Sequence, residues 1–227
     1  MMVCLFDVNE TLLDLSALDP HFARVFGDAA VRRAWFNQML QSAMVATITG
    51  AYADFGQIGA AALEMTATRA GLTLAPVDRE AIVGGMRRLP PHPDARPALE
   101  RLRDAGFRLA ALTNSTEAVA VAQLQFAGLA PLFEQILSAD TVKRLKPAPE
   151  PYLMAAERLG VDIASIRLIA AHAWDVAGAQ RAGGAAAFVA RPGQVLDPLV
   201  PRPEVVGADL TEVADAILTL ERSVDRT

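Results

Sequence analysis

A chain of 227 residues, 52% hydrophobic and 21% charged, carries enough apolar side chain for a full core and too little polarity to stay disordered. A net charge of -5 with no cluster of Lys or Arg argues against non-specific nucleic-acid binding. No apolar run is long enough to span a bilayer and no charged-then-apolar leader opens the sequence, so a cytoplasmic protein is expected.

Val3-Cys4-Leu5-Phe6 reads as a buried strand that ends on an acid, Asp7. Cys4, the single cysteine, falls inside that strand and is expected to be a small buried hydrophobe. From Asp14 to Leu89 the pattern is mostly helical, with helices expected over 31–48, 54–71 and 78–89; Thr73-Leu74-Ala75-Pro76 separates the last two. Pro90-Pro91-His92-Pro93 is a stiff, non-helical return. Then the pattern alternates. A helix over 95–105 precedes a strand over 107–112 that ends in Thr113-Asn114-Ser115. A helix over 117–127 leads to a strand over 133–137. A helix over 149–159 leads to a strand over 166–170, which runs into His172-Ala173-Trp174-Asp175. The last elements are a helix over 176–182, strands over 185–190 and 205–206, and a helix over 210–220. Strands separated by helices imply right-handed crossovers and a parallel sheet. The expected fold is a doubly wound, Rossmann-like α/β core built from 1–14 and 91–227, with an α-helical cap, 15–90, inserted after the first strand.

In a doubly wound sheet the strand tips converge on one crevice. Here they carry Asp7, Thr113-Asn114-Ser115, Lys146, and His172 with Asp175. Only two of the 21 basic residues are lysines, Lys143 and Lys146, so a lysine near the tips stands out. A positive Lys146 beside Asp7 would keep that carboxylate ionised and able to attack an electrophile. The plain alternative makes Asp7 a turn or cap residue. Asp14, Asp19, Asp28 and Asp54 read as such residues, Lys143 as a solvated surface residue, and His21 and His92 have no partner pattern.

Asp7-x-x-x-Thr11, Leu112-Thr113-Asn114-Ser115, Lys146-Pro147 and Trp174-Asp175 resemble, in order and spacing, the four motifs of the haloacid dehalogenase superfamily. Pro151-Tyr152, Ala173-Trp174-Asp175, Ala177-Gly178-Ala179, Trp35 and Tyr52-Ala53-Asp54-Phe55 look most like its type II (S)-2-haloacid dehalogenases. The resemblance implies metal-independent, cofactor-free hydrolysis of short (S)-2-haloalkanoic acids to 2-hydroxy acids, with inversion, through an ester on Asp7. It implies that Lys146, paired with Asp175, keeps Asp7 negative, and that Thr11 and Thr113 hold Asp7 and the bound carboxylate. Asn9, Asn114, Phe36, Phe55 and Trp174 are then the expected substrate contacts. The partners are the haloacid, halide and water, with no nucleic acid or membrane; a homodimer through an apolar helix face is compatible with the composition.

Four departures bear on the chemistry. The family arginine after the cap tryptophan is Phe36 here, which leaves halide to Asn114 with the aromatic edges, or to another arginine such as Arg24. The common tyrosine is Asn9, the usual glycine before Thr11 is Glu10, and the usual asparagine before Trp174 is His172. The last two introduce a carboxylate and an imidazole at tips flanking Asp7, the pairing of a water-activating dyad. The plain alternative has Glu10 capping a turn and His172 structural. Magnesium-dependent phosphatases of the superfamily resemble this chain but carry acids where Asn9 and Ala171 stand. A phosphatase with a degenerate metal site, and a silent member that binds a small carboxylate, stay open as rival readings.

Overall fold

The computed structural model describes residues 2–224. Six strands form one all-parallel sheet: β1 (Val3–Phe6), β2 (Arg108–Thr113), β3 (Gln135–Ser138), β4 (Ile166–Ala170), β5 (Ala185–Val189) and β6 (Val205–Gly207), in the order β3-β2-β1-β4-β5-β6. Side chains alternate across a strand, and β1 divides accordingly. Cys4 and Phe6 join one apolar layer; Val3 and Leu5 join the other. Burial on both faces explains why β1 reads as a continuous apolar run, and β4 as one broken only by Arg167, rather than as alternating patterns. Burial also pushes the Cys4 thiol up to about 12, which makes it inert as a nucleophile at neutral pH.

Helices α5 (Ala95–Asp104), α6 (Glu117–Phe126), α7 (Pro149–Leu159), α8 (Ala173–Arg181) and α9 (Leu210–Val224) accompany the strands as expected from the alternating pattern. Two bounds differ in an informative way. Helix α8 begins three residues earlier than the expected 176, because His172 stays extended while its carbonyl accepts from the N–H groups of Asp175 and Val176. Trp174 and Asp175 therefore sit on the first turn of a helix and not on a loop. Helix α9 runs on past the expected end at 220.

Between β1 and α5 lie α1 (Asp19–Phe26), α2 (Val31–Thr49), α3 (Phe55–Arg69) and α4 (Pro76–Gly85). Helix α1 has no counterpart among the expected helices: Pro20 starts it and Gly27, at φ +78°, closes it. Helix α4 gives way to a tighter 3-10 turn at Met86–Arg88 and so stops short of Leu89. The Asp54 carboxylate accepts from the Gln57 N–H and starts α3, the capping role its position suggested. Fully buried Trp35 of α2 donates to the Gly59 carbonyl of α3 at 2.9 Å. A Cβ at Gly59 would lie 3.0 Å from the Met39 methyl carbon, so a larger residue there would make the Met39 side chain shift. Phe36 of α2 and Phe55 of α3 come to lie over the carboxyl end of β1. No helix among the described residues is long and apolar enough to cross a membrane.

Candidate active site

Strand β1 lies between β2 and β4, where the strand order turns from one direction to the other. The crevice of a doubly wound sheet opens at that switch point. Asp7 follows β1 directly, Thr113 ends β2, and His172 follows β4. Lys146 is carried in by the segment between β3 and α7, which Asn114 fastens: its Oδ1 accepts from the Lys146 N–H at 2.7 Å and its Nδ2 donates to the Lys146 carbonyl at 3.3 Å.

The Lys146 ammonium donates to Asp7 Oδ1 at 2.9 Å, to Asp175 Oδ2 at 2.6 Å and to the Leu112 carbonyl at 3.0 Å. All three charged side chains are buried. Tyr152 of α7 donates its hydroxyl to Asp175 Oδ1. Thr11 donates to Asp7 Oδ2 at 2.6 Å and accepts from the Ala171 N–H at 2.9 Å, which ties the β1 loop to the tip of β4. Burial alone would raise the Asp7 carboxyl, but the Lys146 charge and the bonds from His172 and Thr11 outweigh it and hold Asp7 far below the usual carboxylate range. Burial lowers Lys146, and the charges of Asp175 and Asp7 more than reverse this. Asp175 is pushed up by burial against the pull of Lys146, and Tyr152 stays a phenol because burial and the Asp175 charge raise it well above its ordinary value.

His172 bridges two carboxylates: Nδ1 lies 3.3 Å from Asp7 Oδ2 and Nε2 lies 2.9 Å from Glu10 Oε2. Burial would lower its pKa, but the two carboxylates raise it to about 9, so at neutral pH the ring is an imidazolium that donates to both. The ring stacks on Trp174, with centroids 5.1 Å apart, and lies 6.2 Å from Phe36. Glu10 reaches this place from a left-handed backbone, φ +63°. Gln194 donates to its Oε2 at 3.1 Å, and an Arg32 nitrogen stands 3.7 Å from its Oε1.

Above Asp7 is a cavity of about 10 Å³, room for roughly one water. Its lining includes Asn9, Phe36, Phe55, Thr113, Asn114 and Trp174, the six residues the sequence marked as substrate contacts. Asp7, Lys146 and His172 face the same cavity, whereas Glu10, Thr11 and Asp175 stand behind them. The Asn9 amide is held by Gln123 at 3.0 Å and the Thr113 hydroxyl accepts from the Ser115 N–H. Arg24 is elsewhere: it is exposed, pairs with Asp78 and does not line this cavity, because α1 sits on the outer side of α2. Lys143 lies at the surface against Asp140. Sequence reasoning gave no site role to Tyr152, Gln194 or Arg32. Tyr152 was flagged only by its Pro-Tyr context, and Gln194 follows β5, the tip left out of the strand-end reading.

Among the described residues no group of three or more His, Cys, Asp or Glu is placed to hold a metal ion. The groups that charge this cavity are instead an ammonium and an imidazolium around one carboxylate.

A family model described as haloacid dehalogenase-like hydrolase matches residues 1–183. The (S)-2-haloacid dehalogenase 4A of Burkholderia cepacia is 30% identical over 185 residues, 81% of this chain and 80% of that protein. The structure of an L-2-haloacid dehalogenase from Xanthobacter autotrophicus has a TM-score of 0.89 at 25% identity, covering 96% of this chain and 98% of that one. A dehalogenase solved with an intermediate complex has a TM-score of 0.87 at 28% identity, covering 93% and 95%. On that match over residues 1–183, the chain belongs to the haloacid dehalogenase-like hydrolase family.

Proposed function

We propose that the protein hydrolyses short (S)-2-haloalkanoic acids to 2-hydroxy acids through an ester on Asp7, without a metal ion, and that segment 15–90 acts as a cap over the reaction. The observation that carries this reading is the buried Asp7 carboxylate held at 2.9 Å by Lys146 beneath a cavity walled by Phe36, Phe55 and Trp174. A desolvated, positioned carboxylate is the nucleophile that displacement at carbon needs, and apolar walls suit an alkyl halide. The relatives named (S)-2-haloacid dehalogenase support the substrate class.

In the first half-reaction an Asp7 oxygen bonds to C2 of the haloacid, the carbon–halogen bond breaks, and halide leaves with the electron pair. The configuration at C2 inverts. Asn114, the aromatic edges and the imidazolium of His172 receive the charge that Phe36 cannot. In the second, with the Asp7 charge lost to the ester, His172 is a neutral imidazole oriented by Glu10; it accepts the proton as water attacks Asp7 Cγ and frees the hydroxy acid. Asp175 and Tyr152 hold Lys146 where it screens Asp7 throughout. A phosphoryl dianion fits less well: Asn9 offers an amide where an acid would be needed.

The test is one turnover with (S)-2-chloropropionate in ¹⁸O-water. Label is expected in the Asp7 carboxylate and not in the lactate formed. Label in lactate means direct attack by water. No chloride release, with phosphate esters hydrolysed instead, would replace this reading with the phosphatase.

A further inference from the structure

The stoichiometry of the proposed hydrolysis raises a problem that the structure answers. Ester formation releases halide and no proton. Hydrolysis of the Asp7 ester consumes one water and must deliver one proton to solvent if Asp7 is to return as a carboxylate. The cavity over Asp7 has room for about one water, so the side chain beside it, and not a chain of waters within the cavity, is the nearest carrier for the proton. The way out is bridged by two side chains in line, His172 between Asp7 and Glu10 at 3.3 and 2.9 Å.

Glu10 then faces a second, larger space. With Arg32, His92, Arg191 and Gln194 it lines a crevice of about 370 Å³ whose rim includes the exposed Arg33 and Pro192. Phe36 belongs to the walls of both spaces and separates them. The side chains of Asp7 and His172 are 6% and 4% exposed and that of Glu10 is 19% exposed, so Glu10 is the member of the line that meets solvent.

We propose that His172 and Glu10 are the exit path for the hydrolytic proton, with the crevice as its outlet. The water oxygen bonds to Asp7 Cγ and the Cγ–O bond to the product breaks. One water proton ends on the product hydroxyl; the other is taken by His172 Nδ1. The Nε2 proton passes to Glu10 Oε2, and Glu10 gives it to water or a diffusible base in the crevice. Glu10 touches no reacting atom and works through His172, held in place by Gln194 and Arg32. The state of the ring fits the sequence of events. Esterification removes the Asp7 charge that holds the Nδ1 proton, while Glu10 still holds the one on Nε2. The ring then gives up one proton to the crevice, keeps Nε2–H with Nδ1 free when water attacks, and takes a proton back once Asp7 is a carboxylate again, which leaves one net proton released per turnover.

This inference rests on the dehalogenase reading, and the experiment separates the two. Unaltered protein, Glu10→Gln and Glu10→Ala are each mixed with (S)-2-chloropropionate in a single turnover, following chloride, the mass of the Asp7 peptide, and proton release to an indicator dye. Both variants are expected to give chloride at one per site, accumulate the ester, and hydrolyse it about 100-fold more slowly, the lower end of what a general base contributes. Imidazole, small enough for the crevice, should restore hydrolysis and proton release in Glu10→Ala in proportion to its concentration, and do nothing for unaltered protein. Chloride at one per site also shows that each variant is folded. Ester hydrolysis at the unaltered rate, or a slowing that no concentration of imidazole relieves, overturns the exit path and leaves the dehalogenase reading intact. No chloride from the unaltered protein overturns both.

Discussion

Replacing Lys146 by methionine keeps the length of the side chain and removes its charge. The ammonium is 1% exposed and is the shared partner of Asp7 and Asp175, themselves 6% and 0% exposed at the side chain. Without it two buried carboxylates face each other with Tyr152, Thr11 and His172 as their remaining donors. Removing one member of a buried ion pair costs about 3–5 kcal/mol, because the remaining charge stays desolvated and uncompensated. For a chain of this length that corresponds to a fall in melting temperature of roughly 6–20 °C. One carboxylate of the variant must take up a proton to relieve the repulsion, so the deficit should shrink as pH falls from 7 to 5. Chemical denaturation at both pH values, with Lys146→Met, Asp175→Asn and the double variant, measures it. The double variant leaves a single carboxylate and is expected to recover part of the loss. A Lys146→Met protein within 1 kcal/mol of the unaltered one at pH 7, or one whose deficit does not change with pH, refutes the charge argument.

His172 gives a pH signature of opposite sign. Its folded pKa is raised from 6.5 to about 9, so its stabilising contribution is complete below pH 6.5 and disappears as pH rises through 9. The groups that set it are Asp7 and Glu10 in contact, with Arg32 and Lys146 beyond them. Between pH 6.5 and 9 the unaltered protein should lose more stability than His172→Gln, and kcat/KM should fall through pH 9 in the former only; parallel curves would count against a charged ring. Thr11→Val removes the donor to Asp7 and orphans the buried Ala171 N–H, a cost of about 1–3 kcal/mol, while Thr11→Ser should keep both bonds; thermal melting compares the pair. In Gly178→Ala the new Cβ would stand 2.5 Å from the Tyr152 hydroxyl and 2.9 Å from the Pro147 carbonyl oxygen. A loss of about 1–3 kcal/mol and a rate reduced more than tenfold, through displaced Asp175, are expected; unchanged kinetics would show that Tyr152 does not position it.

Most of the sheet was legible because buried parallel strands are mainly apolar, and because polar residues at strand ends point to the switch crevice. Asp7, Thr113, Asn114, Lys146 and His172 were all found by that rule. Helix α1 was not resolved: its eight residues are too few for a firm periodic stripe, although Pro20 and Gly27 bracket it. Tyr152 and Gln194 were hidden for another reason. Each approaches the site from an element far from Asp7 in sequence, one from α7 and one from beyond β5, and only the closed fold brings them within hydrogen-bond reach. Asp19 was expected to cap a turn; it meets Arg32, a long-range partner that no local pattern reveals. The motif neighbourhood marked Glu10 and His172 as a pair, but the charge on the ring comes from its place between two carboxylates, against the effect of burial, which a sequence does not display.

The backbone at Glu10 carries its own consequence. A side chain in the left-handed region costs roughly 1–2 kcal/mol relative to the ordinary one, a penalty glycine escapes. Glu10→Gly should therefore regain that penalty while losing the bonds to His172 and Gln194, and should stall as the Asp7 ester. At this one position backbone ease and side-chain placement pull in contrary directions, and the residue in place is the one that reaches His172.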